Sequence, residues 1–276
     1  MAARHLARIL GFRLTTQDLP RLSRFYQDVL GFTAQGEQAI AADEMALLGL
    51  QGGGRRVTLR MGEQRVAIDQ FEAPGRAYPT DSDAASLWFQ HLALVVPDIE
   101  AAYARLRDIA PISEGGPQHL PPASGGASAY KFRDPDGHPL ELLQFPRGGA
   151  PASWGQRTPE PGQIAIGIDH SAISVAETQV SVAFYNDLGL ASGKRTLNRG
   201  PAQEYLDDLR DVEVTVVALQ PEDGAPHLEL LGYQVPRGTP GEKLRANDVA
   251  ATRIVWSGEQ AELLSDPDGH LQQIEA

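Results

Sequence analysis

Apolar and polar residues alternate, and then give way to helix-like spacing, in three stretches of the chain, at residues 8–32, 90–107 and 167–190. In the first stretch a strand-like segment, 9–14, precedes apolar residues at i, i+3 and i+4, the spacing of one helix face. These residues are Leu19, Leu22, Phe25, Tyr26, Val29 and Leu30. The pattern predicts a strand followed by a helix in each stretch, with short strands after each helix.

The second and fourth repeats of this pattern differ in length. In the second, Pro97 and Asp98 are typical of a helix start, and the helix is predicted to bury Ile99, Ala102, Tyr103 and Leu106. Near the C-terminus, 252–256 reads as a strand, but too few residues follow before Asp266 to form a helix. The chain is therefore predicted to contain four units, of which the fourth is truncated.

Two motifs occur twice and indicate an internal duplication. Phe-Tyr-Gln-Asp-Val-Leu-Gly at 25–31 corresponds to Phe-Tyr-Asn-Asp-Leu-Gly at 184–189, and Asp-Pro-Asp-Gly-His occurs at 134–138 and 266–270. Asp-Pro-Asp-Gly is typical of a turn between two strands, because proline fixes its φ angle and glycine permits a positive one. The repeats predict two halves of similar structure.

Two polar segments rich in proline and glycine, at about 72–87 and 146–165, are candidate connectors between the units. They predict two domains joined by a linker. The predicted limits are 1–146 for the first domain, with units at about 6–75 and 88–146, 147–165 for the linker, and 166–276 for the second domain, with units at about 166–235 and 247–276.

Charge and composition limit the partners and the metal ligands that this chain can have. The 276 residues include 36 acidic and 24 basic side chains, for a formal charge of −12, which argues against nucleic-acid partners and anionic membranes. No apolar run approaches the roughly 20 residues of a membrane span, and no signal peptide is evident, so we expect a cytoplasmic protein. Because the chain has no cysteine, any metal must be held by histidine and carboxylate groups.

The four units, with the Phe-Tyr motif after the helix and Asp-Pro-Asp-Gly-His before the last strand, resemble the vicinal oxygen chelate superfamily of glyoxalases, extradiol dioxygenases and bleomycin-resistance proteins. The resemblance implies an α+β fold in which βαβββ modules pair into two half-barrel domains. It leaves the reaction open, since this superfamily includes lyases, isomerases, dioxygenases and proteins that only bind small molecules.

The resemblance also implies two metal-ligand positions in each unit, one near the start of the first strand and one in the last strand. Counted from the motifs, the first position holds, in unit order, Gly11, His91, His170 and either Ala250 or Ala251. The second position holds Ala67, Glu141, Glu229 and Gln273. Units two and three therefore supply the set that resembles glyoxalase I, namely His91, Glu141, His170 and Glu229.

These four residues form one complete site only if units two and three share a cleft, and this pairing is our hypothesis. If units pair in sequence order instead, each cleft has one histidine and one glutamate. A homodimer with exchanged units could also unite the two half-sites.

Two imidazoles and two carboxylates would neutralise a divalent ion such as Ni, Co, Zn, Mn or Fe(II) and leave two coordination positions for substrate oxygens. The predicted function is therefore a glyoxalase-like lyase or isomerase that acts on a small α-hydroxycarbonyl through a metal-bound enediolate. Glu141 or Glu229 is the predicted base. No glutathione-binding set is recognisable in the sequence.

Two other functions fit the same resemblance. An extradiol dioxygenase would use Fe(II) held by two histidines and one carboxylate to cleave catechols. A binding protein of the bleomycin-resistance type would hold a drug or metabolite without turnover.

Candidate residues outside the ligand set were weighed individually. Asn198, Arg199 and Gln203 are predicted to bind substrate from the middle strands of unit three. His227 is predicted to be structural or exposed. Arg13, Lys131 and Arg133 are cationic candidates for a substrate carboxylate, although the pattern favours an exposed strand face for them.

Overall fold

The computed structural model describes residues 5–106, 108–155, 157–224 and 226–276. The start of the predicted first domain at residue 1 and the end of the second helix-like stretch at residue 107 lie outside these ranges. Within them, no helix has the length and apolar character needed to cross a membrane.

Units one and two follow the predicted order of strand, helix and further strands, except that unit one has a second helix, which was not predicted, between its second and third strands. The elements of unit one are β1 (Ile9–Thr15), α1 (Leu19–Arg24), β2 (Thr33–Ala39), α2 (Ala42–Leu47), β3 (Gly54–Met61) and β4 (Gln64–Phe71). Those of unit two are β5 (Gln90–Val95), α3 (Ile99–Ala104), β6 (Gln118–His119), β7 (Ser128–Arg133) and β8 (Pro139–Gln144).

Units three and four differ in size. Unit three consists of β9 (Gly167–Ser174), α4 (Thr178–Asp187), β10 (Ala191–Arg199), α5 (Pro201–Asp207), β11 (Glu213–Gln220) and β12 (His227–Val235). Unit four has only β13 (Arg253–Ser257), β14 (Glu262–Ser265) and β15 (Leu271–Glu275), and no helix occurs in 247–276, a range that is described throughout.

Helix starts and ends follow from local sequence. The carboxylate of Asp18 accepts a hydrogen bond from the backbone N–H of Arg21 at 3.0 Å and caps α1, and Asp98 caps α3 in the same way through Ala101 at 3.0 Å. The helical segment continues beyond α1 as a π-helical turn and ends before Gly31, whose φ of +81° suits glycine.

The strands form two sheets, each built from two units. The seven-stranded sheet has the order β14-β15-β13-β1-β4-β3-β2 and joins units one and four. The eight-stranded sheet has the order β10-β11-β12-β9-β5-β8-β7-β6 and joins units two and three. The predicted α+β class with two half-barrel sheets is confirmed. Each sheet takes strands from both 1–146 and 166–276, and the limits of separately folding domains stay a prediction.

The duplicated motifs connect the two sheets. Tyr26 of unit one donates a hydrogen bond to Asp134 of unit two at 3.2 Å, and Tyr185 of unit three donates one to Asp266 of unit four at 2.9 Å. All four side chains are buried. The motifs that carry the family resemblance are therefore structural, because each pair joins the helix of one sheet to a turn of the other.

Strand alternation divides each sheet into an apolar face and a polar face. Leu14 and Ile68 of the seven-stranded sheet and Leu94 and Ile173 of the eight-stranded sheet belong to one buried cluster. The sheets thus share a core on one face, and the opposite face of each is free for polar side chains.

Candidate metal centre

The two predicted histidine ligands lie side by side on the polar face of the eight-stranded sheet. β5 and β9 are antiparallel neighbours, with Ala93 opposite His170 and His91 opposite Ala172. The histidines therefore project from the same face on adjacent strands, and their ring centroids are 5.7 Å apart.

The two glutamates occupy matching positions beside the histidines. In the parallel pair β5–β8 Glu141 lies next to Ala93, and in β9–β12 Glu229 lies next to Ala172. Each glutamate is thus registered with the residue two positions after the histidine of its own unit. All four predicted ligands line one cleft of about 530 Å³.

Three of the four predicted ligands form a compact group. His91 Nε2 is 3.1 Å from Glu141 Oε2, and ligand atoms of His91, Glu141 and His170 all lie within 4.8 Å of one another. Glu229 lies beside this group, with Oε2 3.6 Å from His170 Nε2. The arrangement offers two imidazoles and one carboxylate for a cation, with a second carboxylate adjacent.

The environment of His91 fits a metal ligand. The residue is only 1% exposed, and neither ring nitrogen has a hydrogen-bond partner among the described residues, since the close Glu141 contact lacks hydrogen-bond geometry. Buried polar atoms are rarely left unpaired. Burial lowers the pKa of His91 despite the opposing effect of Glu141, which favours the neutral, metal-binding form.

His170 is oriented by a carboxylate behind it. Its Nδ1 is 3.0 Å from Asp169 Oδ2, which leaves Nε2 directed toward the cleft. Asp169 is itself held by the indole N–H of Trp154, which donates to Oδ1 at 2.7 Å. Histidine ligands of metals commonly have such a carboxylate partner, because it fixes the ring orientation and tautomer.

Without a cation, the charges of this region compensate one another. Burial acts to lower the pKa of His170, but attraction to Glu229 and Asp169 outweighs it and raises the pKa to about 9. Burial acts to raise the pKa of Glu229, but His170 and His227 lower it to about 2. At neutral pH a protonated His170 therefore lies between carboxylates, and a metal would replace that proton.

Two further candidate ligands were not singled out by the sequence analysis. His227 Nε2 is 3.4 Å from Glu229 Oε1, and Asp169, His170 and His227 form a second group with ligand atoms within 4.8 Å of one another. His227 was expected to be structural or exposed, and the structure excludes the exposed alternative, since only 12% of its side chain is accessible. The signals were present in the sequence, because Asp169 precedes His170 directly and His227 is two residues before Glu229 on one strand face.

Lys131 contradicts the expectation of an exposed strand face. Its residue exposure is 3%, its Nζ is 2.6 Å from Asp207 Oδ1, and the same atom is 4.0 Å from Glu141 Oε2. Burial acts to lower its pKa, but Asp207 and Glu141 outweigh that effect and raise it. A buried, charged lysine therefore connects the candidate metal group with Asp207.

The three predicted substrate-binding residues separate into two groups, and Gln203 lies on α5 instead of on a middle strand as predicted. Asn198 and Gln203 line the cleft and are 7% and 4% exposed. Arg199 follows Asn198 on β10 and therefore projects from the opposite face. Its side chain is 68% exposed and lies 3.7 Å from Glu213, away from the residues that line the cleft.

The seven-stranded sheet holds different residues at the corresponding positions. Gly11 and Ala67 are found where the sequence analysis placed them, and Gln273 is registered with Val255 as Glu229 is with Ala172. Ala250 and Ala251 precede β13, so the expectation for unit four was wrong by a few residues. The strand pairing assigns Arg253 to the position of His170, since Arg13 lies opposite Arg253 as Ala93 lies opposite His170.

Solved structures with the same fold include two enzymes of different description. Over 97% of this chain and 91% of the other, a variant of glyoxalase I from Zea mays superposes with a TM-score of 0.59 at 14% identity. A "putative dioxygenase" from Bacillus subtilis matches over 99% of this chain and 86% of the other, with a TM-score of 0.60 at 13% identity. At such low identities the likeness concerns the fold alone.

Sequence comparison identifies the family. No curated protein matches the chain significantly. The model of the Glyoxalase/Bleomycin resistance protein/Dioxygenase superfamily matches residues 5–142, half of the chain, and includes β5 and β8 with His91 and Glu141. The chain therefore belongs to the Glyoxalase/Bleomycin resistance protein/Dioxygenase superfamily.

Proposed function

We propose that this protein is a divalent-metal-dependent lyase or isomerase of the glyoxalase type that acts on a small α-hydroxycarbonyl. The observation that carries the proposal is the buried group of His91, Glu141 and His170, in which neither ring nitrogen of His91 has a hydrogen-bond partner among the described residues. The cleft around this group has room for a small substrate.

His91, Glu141 and His170 would hold the ion, which could be Ni, Co, Zn, Mn or Fe(II). When bound, a divalent cation would polarise the substrate carbonyl and stabilise the negative charge that develops on its oxygens. Asp169 keeps His170 in the ligating orientation by accepting from Nδ1.

Proton transfer is assigned to Glu229 in preference to Glu141. Its carboxylate lies beside the three-residue group instead of within it, so it is free to accept a proton while the other three residues hold the ion. In the proposed step Glu229 accepts the proton from the hydroxyl-bearing carbon next to the carbonyl and returns it to the former carbonyl carbon, while the hydroxyl proton passes to the former carbonyl oxygen. His227, 3.4 Å from Oε1, supports the orientation of the carboxylate.

The metal requirement is tested by elemental analysis of purified protein reconstituted with each of the five ions. We expect about one ion per chain in the wild type and none in His91→Ala or His170→Ala. Gln273→Ala, at the corresponding position of the other sheet, is the matched control and should keep its ion. A wild-type protein that binds no metal would overturn the proposal. A metal-loaded protein is then screened with α-hydroxycarbonyls.

A second candidate is an extradiol dioxygenase. It is favoured by one observation, namely that the compact group contains two histidines and one carboxylate, the ligand set of many Fe(II) oxygenases. Oxygen uptake by the Fe(II)-loaded protein with a catechol panel would support this function, and no uptake would count against it.

A cytoplasmic location and a homodimer stay predictions.

A further inference from the structure

Gln203 lines the cleft, and its amide oxygen is a buried hydrogen-bond acceptor without a partner among the described residues. The side chain is 4% exposed, its Nε2 donates to Asp207 Oδ2 at 2.7 Å, and its Oε1 has no hydrogen-bond partner among the described residues. Because a carboxylate only accepts hydrogen bonds, the amide nitrogen must face Asp207. The oxygen is therefore fixed as the group that remains for a ligand.

The partners of Asp207 make this orientation rigid. Lys131 donates to Oδ1 at 2.6 Å, and Tyr233 donates to Oδ2 at 2.9 Å beside the Gln203 amide. Asp207 and Lys131 are 1% and 3% exposed. A buried network in which the carboxylate is bonded on both oxygens holds the glutamine in one position.

Gln203 and Asn198 form one wall of the cleft, and Lys131 lies beside it. Asn198 is 7% exposed, and its Oδ1 also lacks a partner among the described residues. Lys131 lines the cleft between this wall and the metal group, with Nζ 4.0 Å from Glu141. A ligand that extends from the metal group along this wall thus meets the cationic donor Lys131, the buried oxygen of Gln203 and the amide of Asn198.

We propose that Gln203 and Asn198 recognise hydroxyl groups on the tail of the substrate, so that the substrate is a neutral polyhydroxylated carbonyl compound. The inference rests on the proposed function, because it places the carbonyl end at His91, Glu141 and His170. A hydroxyl can donate to Gln203 and accept from Lys131. A carboxylate tail would face the carboxylate of Asp207 and the oxygen of Gln203, and an alkyl tail would leave that oxygen unpaired.

Three ketones with the same hydroxycarbonyl head and different tails test this inference. Erythrulose has a hydroxylated tail, 1-hydroxybutan-2-one an alkyl tail, and hydroxylevulinate a carboxylate tail. Their affinities for cobalt-loaded protein are measured by isothermal titration calorimetry. We expect erythrulose to bind at least about 10-fold more tightly than either of the others, because a site that makes hydrogen bonds discriminates strongly against ligands that lack the group.

A pair of variants assigns the preference to the wall. Gln203→Met removes the acceptor at similar volume, and we expect the preference for erythrulose over 1-hydroxybutan-2-one to fall about 10-fold, mainly through weaker erythrulose binding. Gln163→Met is the control, since Gln163 is also buried, also has an unpaired amide atom among the described residues, and does not line the cleft. It should keep the wild-type preference.

The outcomes separate this inference from the proposed function. The cobalt absorption spectrum reports metal binding, and its absence would overturn the proposed function, while calorimetry on metal-free protein still reads the tail preference. Equal affinities for the three ketones, no detectable binding, or a preference unchanged in Gln203→Met would overturn the inference and leave the metal site standing. The wild-type comparison needs no variant, so it decides even if Gln203→Met does not fold.

Discussion

The two sheets are built from the same unit, and their polar faces are used in opposite ways. At the four corresponding positions the eight-stranded sheet has His91, His170, Glu141 and Glu229. The seven-stranded sheet has Gly11, Arg253, Ala67 and Gln273. One face therefore carries the histidines and carboxylates of the proposed metal site, and the other carries a buried arginine.

The seven-stranded sheet satisfies its charges internally. Asp69 is fully buried and accepts from Arg56 Nε at 2.6 Å and from Arg253 Nη2 at 2.6 Å. Glu44 pairs with Arg56 at 2.7 Å and also with Arg13. Each of these buried charges therefore has an opposite partner on the same face, although Arg253 Nε has no hydrogen-bond partner among the described residues.

One helix position summarises the difference. Glu44 is the third residue of α2 and Gln203 is the third residue of α5, and each helix follows the second strand of its unit. Glu44 completes an ion-pair network, whereas Gln203 leaves an unpaired acceptor in a cleft. The same order of strands and helices thus carries an ion-pair network in one sheet and a cleft in the other, depending on the residues at a few matching positions.

The largest expected effect is a loss of bound metal when a carboxylate of the eight-stranded sheet is replaced by an amide. Glu141→Gln should reduce bound metal from about one ion per chain to none, because it removes the carboxylate of the compact group. Gln273→Glu should not create a second site, since Arg253 occupies the neighbouring histidine position. Metal content of both variants checks the comparison, and a second ion in Gln273→Glu would contradict it.

Removing Asp69, the central carboxylate of the ion-pair network in the seven-stranded sheet, should lower stability and leave metal binding unchanged. Asp69→Ala leaves Arg56 and Arg253 buried without their shared partner, and we expect the free energy of unfolding to fall by about 3–5 kcal/mol. Urea denaturation measures this change. The metal content of the folded variant should equal that of the wild type, and a loss below about 1 kcal/mol would argue against a structural role for the network.

A smaller effect on metal affinity is expected from Asp169, the carboxylate that orients His170. Asp169→Asn keeps an acceptor for Nδ1 but removes the charge, so metal affinity should fall about 10-fold. Asp134→Asn is the matched control, because Asp134 contacts buried His138 at 2.8 Å outside the cleft. Competition with a chelator measures both affinities, and equal losses would contradict a role specific to Asp169.

The smallest expected effect is a pH-dependent change in stability that comes from Glu44 in the seven-stranded sheet. Burial acts to raise the pKa of Glu44, but Arg56 and Arg13 outweigh it and lower the pKa from 4.5 to about 2. The stabilisation is therefore complete above pH 4.5 and is lost as the pH falls toward 2.

Glu44→Gln should lower the free energy of unfolding by about 1–2 kcal/mol at pH 7, a value reduced for the partial exposure of the carboxylate. The difference from the wild type should shrink as the pH falls below 4.5. Urea denaturation at a series of pH values checks this expectation. A difference that is independent of pH would contradict it.

Much of the architecture was predictable because it is encoded in local patterns. The i, i+3, i+4 spacing identified the buried side of the first helix, where Leu22, Tyr26 and Leu30 are fully buried. Repeated motifs placed His91 and His170 at equivalent positions in their units. Lys131 was misjudged because the carboxylate that permits its burial, Asp207, belongs to another unit and is 76 positions away in the chain.

Local sequence patterns were sufficient to predict the strand and first helix of units one to three, the truncation of the fourth unit and the candidate histidine and glutamate positions, whereas the second helices, α2 and α5, were missed. Local patterns could not predict that units two and three share one sheet and that units one and four share the other, which follows from the tertiary structure. All units have similar alternating strands, so local pattern permits several pairings. The antiparallel contacts β5–β9 and β1–β13, made between distant segments that pack on one core, select one of them.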